Sequence, residues 1–371
     1  MNPTYIHQRK AWPAFRWDAA GLASRLAATR HAQGRLLGRM EGLGFRLRGE
    51  ANLAVMTVEV VKSSAIEGEV LDDRQVRSSL ARRLGIDVGG GVPVSRAVDG
   101  VVEMMVDATR EYAAPLTAER LFGWHAALFP TGRSGLRKIA VGRWRPADAG
   151  PVQVVSGPLG REKVHFEAPE ATRVPGEMKA FLEWFNAAPH ADPVIKAALA
   201  HFWFVTIHPF EDGNGRIARA IADMALARAD GAAERFYSMS AQIEAERREY
   251  YAILEKTQKG DLDATGWLAW FIECLGHSLD RAEETLSAVL FKARVWQRIG
   301  HTRVNDRQRK VLNRLLDGFE GNLTTSKYAK LASCSSDTAL RDIQELLDAG
   351  VLLRNPGAGR SASYRIAEPG D

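Results

Sequence analysis

One stretch of the chain constrains the rest: His208-Pro209-Phe210-Glu211-Asp212-Gly213-Asn214-Gly215-Arg216-Ile217-Ala218-Arg219. The run before it, Val194 to Ile207, is rich in alanine, leucine and aromatics and predicts a buried helix. The run after it, Ile217 to Ala229, carries apolar residues at three- and four-residue spacing and predicts a second helix. Pro209 should end the first helix, because proline lacks an amide hydrogen and disfavours helical geometry in the residue before it. Gly213-Asn214-Gly215 then frees the backbone to turn tightly. Its amides fall at the start of the second helix, where unpaired N–H groups and the helix dipole favour an anion.

The side chains narrow the choice of anion. His208 can take a proton near neutral pH. Asp212 is an oxygen ligand suited to magnesium, which commonly keeps waters and bridges substrate phosphates. Arg216 and Arg219 supply fixed positive forks for phosphate oxygens. A base, a carboxylate, an amide cradle and two arginines in one loop point to phosphoryl or nucleotidyl transfer. The plainer alternative is a polar loop between two core helices, with His208 capping one of them.

The 371 residues leave room for two or three domains, and a 46% hydrophobic content suits globular cores. The net charge of +5, carried mostly by arginine, leans towards acidic partners such as nucleotides or DNA without choosing between them. Cys274 and Cys334 lie in different predicted domains and outside any ligand-spaced pair, so both are expected to be free thiols in a reducing compartment. Met1 to Phe15 lacks the apolar core of a signal peptide, and no apolar run is long enough to span a membrane. A cytoplasmic protein with no membrane partner is expected.

Taken in order, Ala19–Met40, Asn52–Ser64 and Asp73–Leu84 read as helices, with a break at Gly42-Leu43-Gly44 and a glycine-rich linker from Gly89 to Pro93. Ser95–Tyr112 and Thr117–Leu128 follow as helices, Thr117 serving as an N-cap. Two β-rich runs, Pro151–Val155 and Lys163–Phe166, flank Gly157-Pro158-Leu159-Gly160 and predict a hairpin. After the central loop, Ile243–Gln258, Leu262–Leu275 and His277–Arg298 are expected to be three helices. The last segment predicts helices at Asn305–Asp317, Thr325–Ala332 and Ser335–Ala349, then a hairpin of Val351–Arg354 and Ser363–Ile366. That order resembles a winged helix, with Ser336, Thr338, Arg341 and Asp342 facing outward and Arg354, Arg360 and Arg365 on the wing. Asp337, Asp342, Glu345 and Asp348 beside Arg341 would repel a polyanion, so protein docking is favoured over DNA for this module.

The central string resembles the Fic family signature, H-P-F-x-[D/E]-G-N-G-R-x-x-R, and matches every fixed position. The resemblance implies a mainly α fold: a Fic-type helical core with a β-hairpin flap, an N-terminal helical regulatory unit and a C-terminal winged helix-turn-helix. The corresponding divisions are 1–95, 96–300 and 301–371. It implies protein AMPylation, in which His208 deprotonates a Ser, Thr or Tyr hydroxyl of a target (or of the chain itself) that then attacks the α-phosphate of ATP. Asp212 would hold Mg2+, while Gly213, Asn214 and Gly215 cradle phosphates. Arg216 would take the β-phosphate side and Arg219 the γ-phosphate, with Phe210 as the loop's buried anchor. Gly215 stands where family members that phosphorylate instead carry lysine. Trp144-Arg145 resembles the family's approach to the flap, and Tyr250 or Tyr251 could flank adenine.

Ser63-Ser64-Ala65-Ile66-Glu67-Gly68 resembles the family's inhibitory motif, [S/T]-x-x-x-E-[G/N]. The resemblance implies that Glu67 pairs with Arg219 and occupies the γ-phosphate position. The hairpin at 151–166 would hold an extended target segment by main-chain pairing. Three alternatives stay open: removal of AMP from a modified protein at the same site, a DNA-binding regulator with a nucleotide-sensing core, and a homodimer.

Overall fold

A computed structural model of the chain describes residues 4–86, 91–147, 150, 152–156, 161, 163–300, 304–316, 319, 321–356 and 362–367. The turn of the predicted hairpin at 157–160, Arg360, and most of the glycine-rich linker lie outside the described residues. The chain divides into two compact units, Met1–Glu283 and Glu284–Asp371. Residues 1–95 and most of 96–300, separated in the sequence reading, thus share the first unit.

The first unit begins with α1 (Ala19–Glu41), α2 (Phe45–Ile66), α3 (Asp73–Leu84), α4 (Arg96–Arg110) and α5 (Ala118–Leu128). Side-chain caps fix the starts: Asp18 accepts from the Gly21 amide, Asp72 from Arg74 and Gln75, Ser95 from Val98, and Thr117 from Arg120. The short strands β1 (Arg133–Ser134) and β2 (Arg137–Lys138) form one hairpin, and β3 (Gln153–Ser156) and β4 (Lys163–Glu167) another. Both are antiparallel, and the second has a register irregularity between Val154 and Val155. Then come α6 (Val174–Asn186), α7 (Pro193–Ile207), α8 (Asn214–Asp230), α9 (Met239–Ala245), α10 (Arg247–Gln258) and α11 (Thr265–Ile299), the last crossing into the second unit.

Helices α7 and α8 are the central pair. Alanines at 197, 198, 200, 218, 220, 222 and 225 are buried and let the backbones approach, while Phe202, Phe204, Ile217 and Ile221 fill the space around them. A helix apolar on every side, as α7 is, belongs in a core. The N-terminal segment is strapped onto this core: the Trp12 indole donates to Glu177, the Arg16 amide donates to the Leu262 carbonyl, and the Ala264 amide donates to the Arg16 carbonyl. His7 Nε2 hydrogen-bonds the Glu167 carbonyl, so the same segment buttresses β4.

Several boundaries differ from expectation. Helix α2 starts at Phe45 rather than Asn52. The predicted helix Ile243–Gln258 is two helices, because Glu246 leaves helical geometry at φ −102°, ψ 28° between α9 and α10. Conversely, the segments predicted as Leu262–Leu275 and His277–Arg298 form one helix: Gly276 stays helical, its bare face near Thr29. Helix α6 and the β1–β2 hairpin have no counterpart among the predicted elements.

The second unit contains the end of α11, α12 (Asp306–Leu316), β5 (Leu323–Thr324), α13 (Thr325–Ala332), α14 (Ser336–Asp348), β6 (Leu352–Arg354) and β7 (Ser363–Ile366). Its strands make a sheet in the order β5-β7-β6. Val311, Leu312, Tyr328, Ile343 and Leu346 form its core. One outward residue is corrected here. Asp342 is buried, accepting from both Arg307 and the Tyr328 hydroxyl, since an α14 face turned to α12 and α13 cannot leave it in solvent. Ser336, Arg341, Arg354 and Arg365 are exposed, and Thr338 is half-buried. Cys274 and Cys334 are free thiols, and no helix among the described residues is long and apolar enough to cross a membrane.

Candidate active site

The loop between α7 and α8 is held by contacts from several elements. His208 ends α7 in the left-handed region (φ 52°), a conformation that costs a non-glycine residue energy and therefore needs support. Arg145 supplies it: its amide donates to the Pro209 carbonyl at 2.9 Å, its Nε to the His208 carbonyl at 2.9 Å, and its Nη2 to Pro169. Phe210 is buried and stacks on the His125 ring at 4.2 Å. The Asn214 side chain returns to clasp Phe210, accepting from its amide at 2.9 Å and donating to its carbonyl at 2.8 Å. Gly213 (φ 80°) is doubly required, since a Cβ would also lie 2.9 Å from the Phe129 ring.

The acidic side chains of the loop are held by the β1–β2 segment. Glu211 accepts from Arg137 at 2.7 Å and from the Ala140 amide at 2.6 Å. Asp212 accepts from the Gly213 amide at 2.5 Å and from the Ser134 hydroxyl. His125 accepts from the Gly142 amide through Nδ1, so its Nε2 carries the proton donated to the Asp212 carbonyl. Burial pushes its pKa down to about 4, in keeping with a neutral ring.

His208 is likewise held neutral, its pKa pushed down to about 4 chiefly by burial. With Nδ1 turned to the Val205 carbonyl at 3.4 Å, the lone pair lies on Nε2, ready to accept a proton.

The arginines of α8 are buried and meet the end of α2. Arg219 donates through Nε to the Ser63 hydroxyl at 2.9 Å, and through Nη2 to the Ser63 carbonyl and to Glu67 Oε1, both at 2.8 Å. Glu67 Oε1 lies so near the start of α8 that a Cβ on Gly215 would come within 2.2 Å of it. The Glu67 carboxylate thus lies beside the N-terminus of α8. Arg216 lies over the Phe129 ring and donates to Glu69 at 2.6 Å. Among the described residues, each arginine keeps a buried nitrogen with no hydrogen-bond partner, Nη1 of Arg219 and Nε of Arg216. Such orphans call for an acceptor.

A cavity of about 730 Å3 opens here, lined by Glu67, His208, Gly215, Phe166 of β4 and Tyr251 among others. His165 Nδ1 pairs with Glu255 at 2.6 Å and ties β4 to α10. Tyr250 is buried and bonds His201 at 2.9 Å, as a core residue does, while Tyr251 is the exposed one of the pair. Val155 and Val164 are also exposed, and among the described residues β3 and β4 pair only with each other.

The site therefore gathers His208, Asp212, Gly213, Asn214, Gly215, Arg216, Arg219, Ser63 and Glu67. Sequence reasoning assigned no role to Arg145, His125, Ser134 or Glu69. Arg145 sits in a segment singled out for its Gly-Arg-Trp-Arg pattern, and Glu69 lies two places past Glu67, but nothing local shows that either reaches the loop.

The loop thus joins two packed helices, with a two-stranded hairpin beside it. Residues 115–226 match the Fic/DOC family model, and residues 5–86 match a domain of unknown function, DUF4172. The chain is 31% identical over 129 residues to the protein adenylyltransferase fic-1 of Caenorhabditis elegans, covering 34% of this chain and 23% of that protein. It is 25% identical over 228 residues to the protein adenylyltransferase Fic of Drosophila mojavensis, covering 60% and 40% respectively. The chain thus spans less than half the length of these curated relatives. A Fic family protein from Desulfovibrio desulfuricans G20 shares the fold at TM-score 0.52 and 21% identity, over 94% of this chain and 97% of that one. Residues 115–226 are thus similar to the Fic/DOC family, and the fold is shared with a Fic family protein.

The buried His125 and His201 and the half-buried His208 predict a pH dependence. His125 and His208 have pKa values pushed down to about 4, and His201 to about 3, each mainly by burial. The unfolded chain protonates these groups near 6.5, so it binds more protons at lower pH and stability falls as pH drops. Urea midpoints of the full chain should hold steady above about pH 7 and decline from about pH 6.5 towards 4.5. A midpoint flat across that window would contradict the burial of neutral rings.

Proposed function

We propose that the protein transfers AMP from ATP to a Ser, Thr or Tyr hydroxyl of a target protein. The observation that carries this reading is a histidine at the end of α7 facing two buried arginines at the start of α8, each with one nitrogen that has no acceptor among the described residues. In the proposed reaction His208 Nε2 takes the hydroxyl proton, the hydroxyl oxygen bonds to the α-phosphorus, and the bond from that phosphorus to the α,β-bridging oxygen breaks to release pyrophosphate. Asn214 and Gly215 offer backbone amides to the phosphates, while the Gly213 amide is held by Asp212 and Gly213 serves through its left-handed turn. The Asn214 side chain is occupied with the loop, so only its amide serves. Arg216 and Arg219 take the β and γ sides.

The donor set fits magnesium. Among the described residues no cluster of three His, Cys, Asp or Glu could cage a metal, whereas magnesium characteristically uses one carboxylate with waters and substrate phosphates. Asp212, fixed by Ser134 and Gly213, is the residue to hold it, and the ion would neutralise charge on the transferring phosphates.

The end of α2 makes the site self-restraining in this proposal: Glu67 on Arg219 takes the γ-phosphate's partner, so ATP cannot seat its tail. A second reading, hydrolytic removal of AMP from a modified protein, is supported by Glu67 lining the same cavity as His208, where it could position a water. A target segment would add to the open edge of the β3–β4 flap, beside the exposed Val155 and Val164.

For the second unit we infer a winged-helix module that docks protein. Its exposed α14 surface includes Asp337, Gln344, Glu345 and Asp348 beside Arg341, a poor match to a polyanion.

His208→Ala should retain ATP binding while AMP transfer falls by about 10²–10⁴-fold; transfer at the wild-type rate would sink the mechanism. Glu67→Gly should raise self-modification, read by intact mass, and an unchanged or lower rate would remove Glu67 from the inhibitory role. In gel shifts the full chain should show no salt-sensitive binding to duplex DNA at about micromolar concentration, and tight salt-sensitive binding would overturn the docking assignment.

A further inference from the structure

The segment that restrains Arg219 also reaches Arg216. Helix α2 ends at Ile66, Glu67 caps it, and Gly68 turns left-handed at φ 84°. The Gly68 amide donates to the Ala65 carbonyl at 2.9 Å and the Glu69 amide to the Ser64 carbonyl at 3.0 Å. That pair of bonds is the Schellman closure of a helix C-terminus, and it holds the residues on either side of the glycine in a set relation. Glu67 and Glu69 are those residues.

Opposite them, Arg216 and Arg219 lie three positions apart on α8 and so share a face of the helix. The two carboxylates meet the two guanidinium groups one to one: Glu67 with Arg219 at 2.8 Å and Glu69 with Arg216 at 2.6 Å. Arg216 is buried, while the Glu69 carboxylate is about half exposed, at 47%. An anion replacing Glu69 therefore needs to move only a side chain with one end already in water.

We propose that Glu69 is a second blocking carboxylate, which holds Arg216 and excludes nucleotides carrying a β-phosphate from the closed site. The inference rests on the nucleotide reading above, in which Arg216 serves the β-phosphate side and Arg219 the γ side. Glu67 alone would gate triphosphates. With Glu69 in place, diphosphates are gated too, while a nucleoside monophosphate competes with neither carboxylate. Glu69 thereby sets which phosphate tail the restrained site rejects.

Calorimetric titration of the full chain with AMP, ADP and ATP, in magnesium, tests this without requiring catalysis. Glu69→Gln keeps the shape of the side chain and removes its charge. It should tighten ADP binding about three- to tenfold, a range set by a half-exposed ion pair with a buried arginine, and leave AMP binding unchanged. Glu67→Gly should tighten ATP binding more than ADP binding, and the double variant should bind ATP more tightly than either single one. Unchanged ADP affinity in Glu69→Gln, in a chain whose Glu67→Gly variant gains ATP affinity, would overturn the role of Glu69 and leave the nucleotide reading standing. An equal gain for AMP, ADP and ATP in Glu69→Gln would also overturn it, marking Glu69 as a mere tether of the α2 terminus. Failure of every variant, the double included, to bind ATP or ADP would overturn both the proposal and the nucleotide reading beneath it.

Discussion

The guanidinium of Arg219 is buried at the start of α8, and the site depends on how that charge is met. Burial opposes the charged form, and Glu67 together with Tyr250 and Tyr251 more than offsets it, so the group stays cationic with its pKa above the usual arginine value. Ser63 satisfies two more of its hydrogen-bond donors from the same turn of α2. A charge buried this way is costly without a partner. The chain can provide one itself or leave the place to a ligand, and two anions cannot hold it at once. Catalytic competence and restraint are therefore proposed to be alternative states of one ion pair rather than separate devices.

The loop that carries His208 is held in place by contacts distinct from that pair. His208 sits in a left-handed conformation, and Arg145 secures it by bonding three consecutive structural pieces: the His208 carbonyl, the Pro209 carbonyl and the Pro169 carbonyl beyond the flap strand β4. Asn214 and His125 lock Phe210 beneath the loop. Phosphate-binding amides need such pre-organisation, because donors already aimed at the ligand require no rearrangement when charge develops. The β1–β2 hairpin completes the frame by holding Glu211 and Asp212.

Much of this was legible because it is written locally. The capping residues Ser95 and Thr117, the proline that ends α7 and the glycine at 213 each act within a few residues of themselves, so the helices around the loop fall close to where the sequence puts them. The pairing of Glu67 with Arg219 was expected only through the family resemblance; spacing alone places Ser63 and Glu67 on one face without saying what they meet. What escaped was non-local. Gly276 looks like a helix stop until Thr29 packs near its bare face, and Glu246 looks like an ordinary helical residue until α9 and α10 change direction there. Asp342 reads as a solvent-facing acid, yet Arg307 and Tyr328, distant in sequence, make it a core partner. Arg145 and Glu69 belong to the same class: their roles exist only once the loop is folded against them.

The central claim is that this site moves an adenylyl group under the control of Arg219. Incubating the chain with ATP labelled at either the α- or the γ-phosphate, and following protein-bound label, tests it most directly. The account predicts label on protein from the α-position alone, with free pyrophosphate as the co-product, as expected with glycine rather than lysine at 215. Protein-bound label from the γ-position would show phosphoryl rather than adenylyl transfer and would contradict the account.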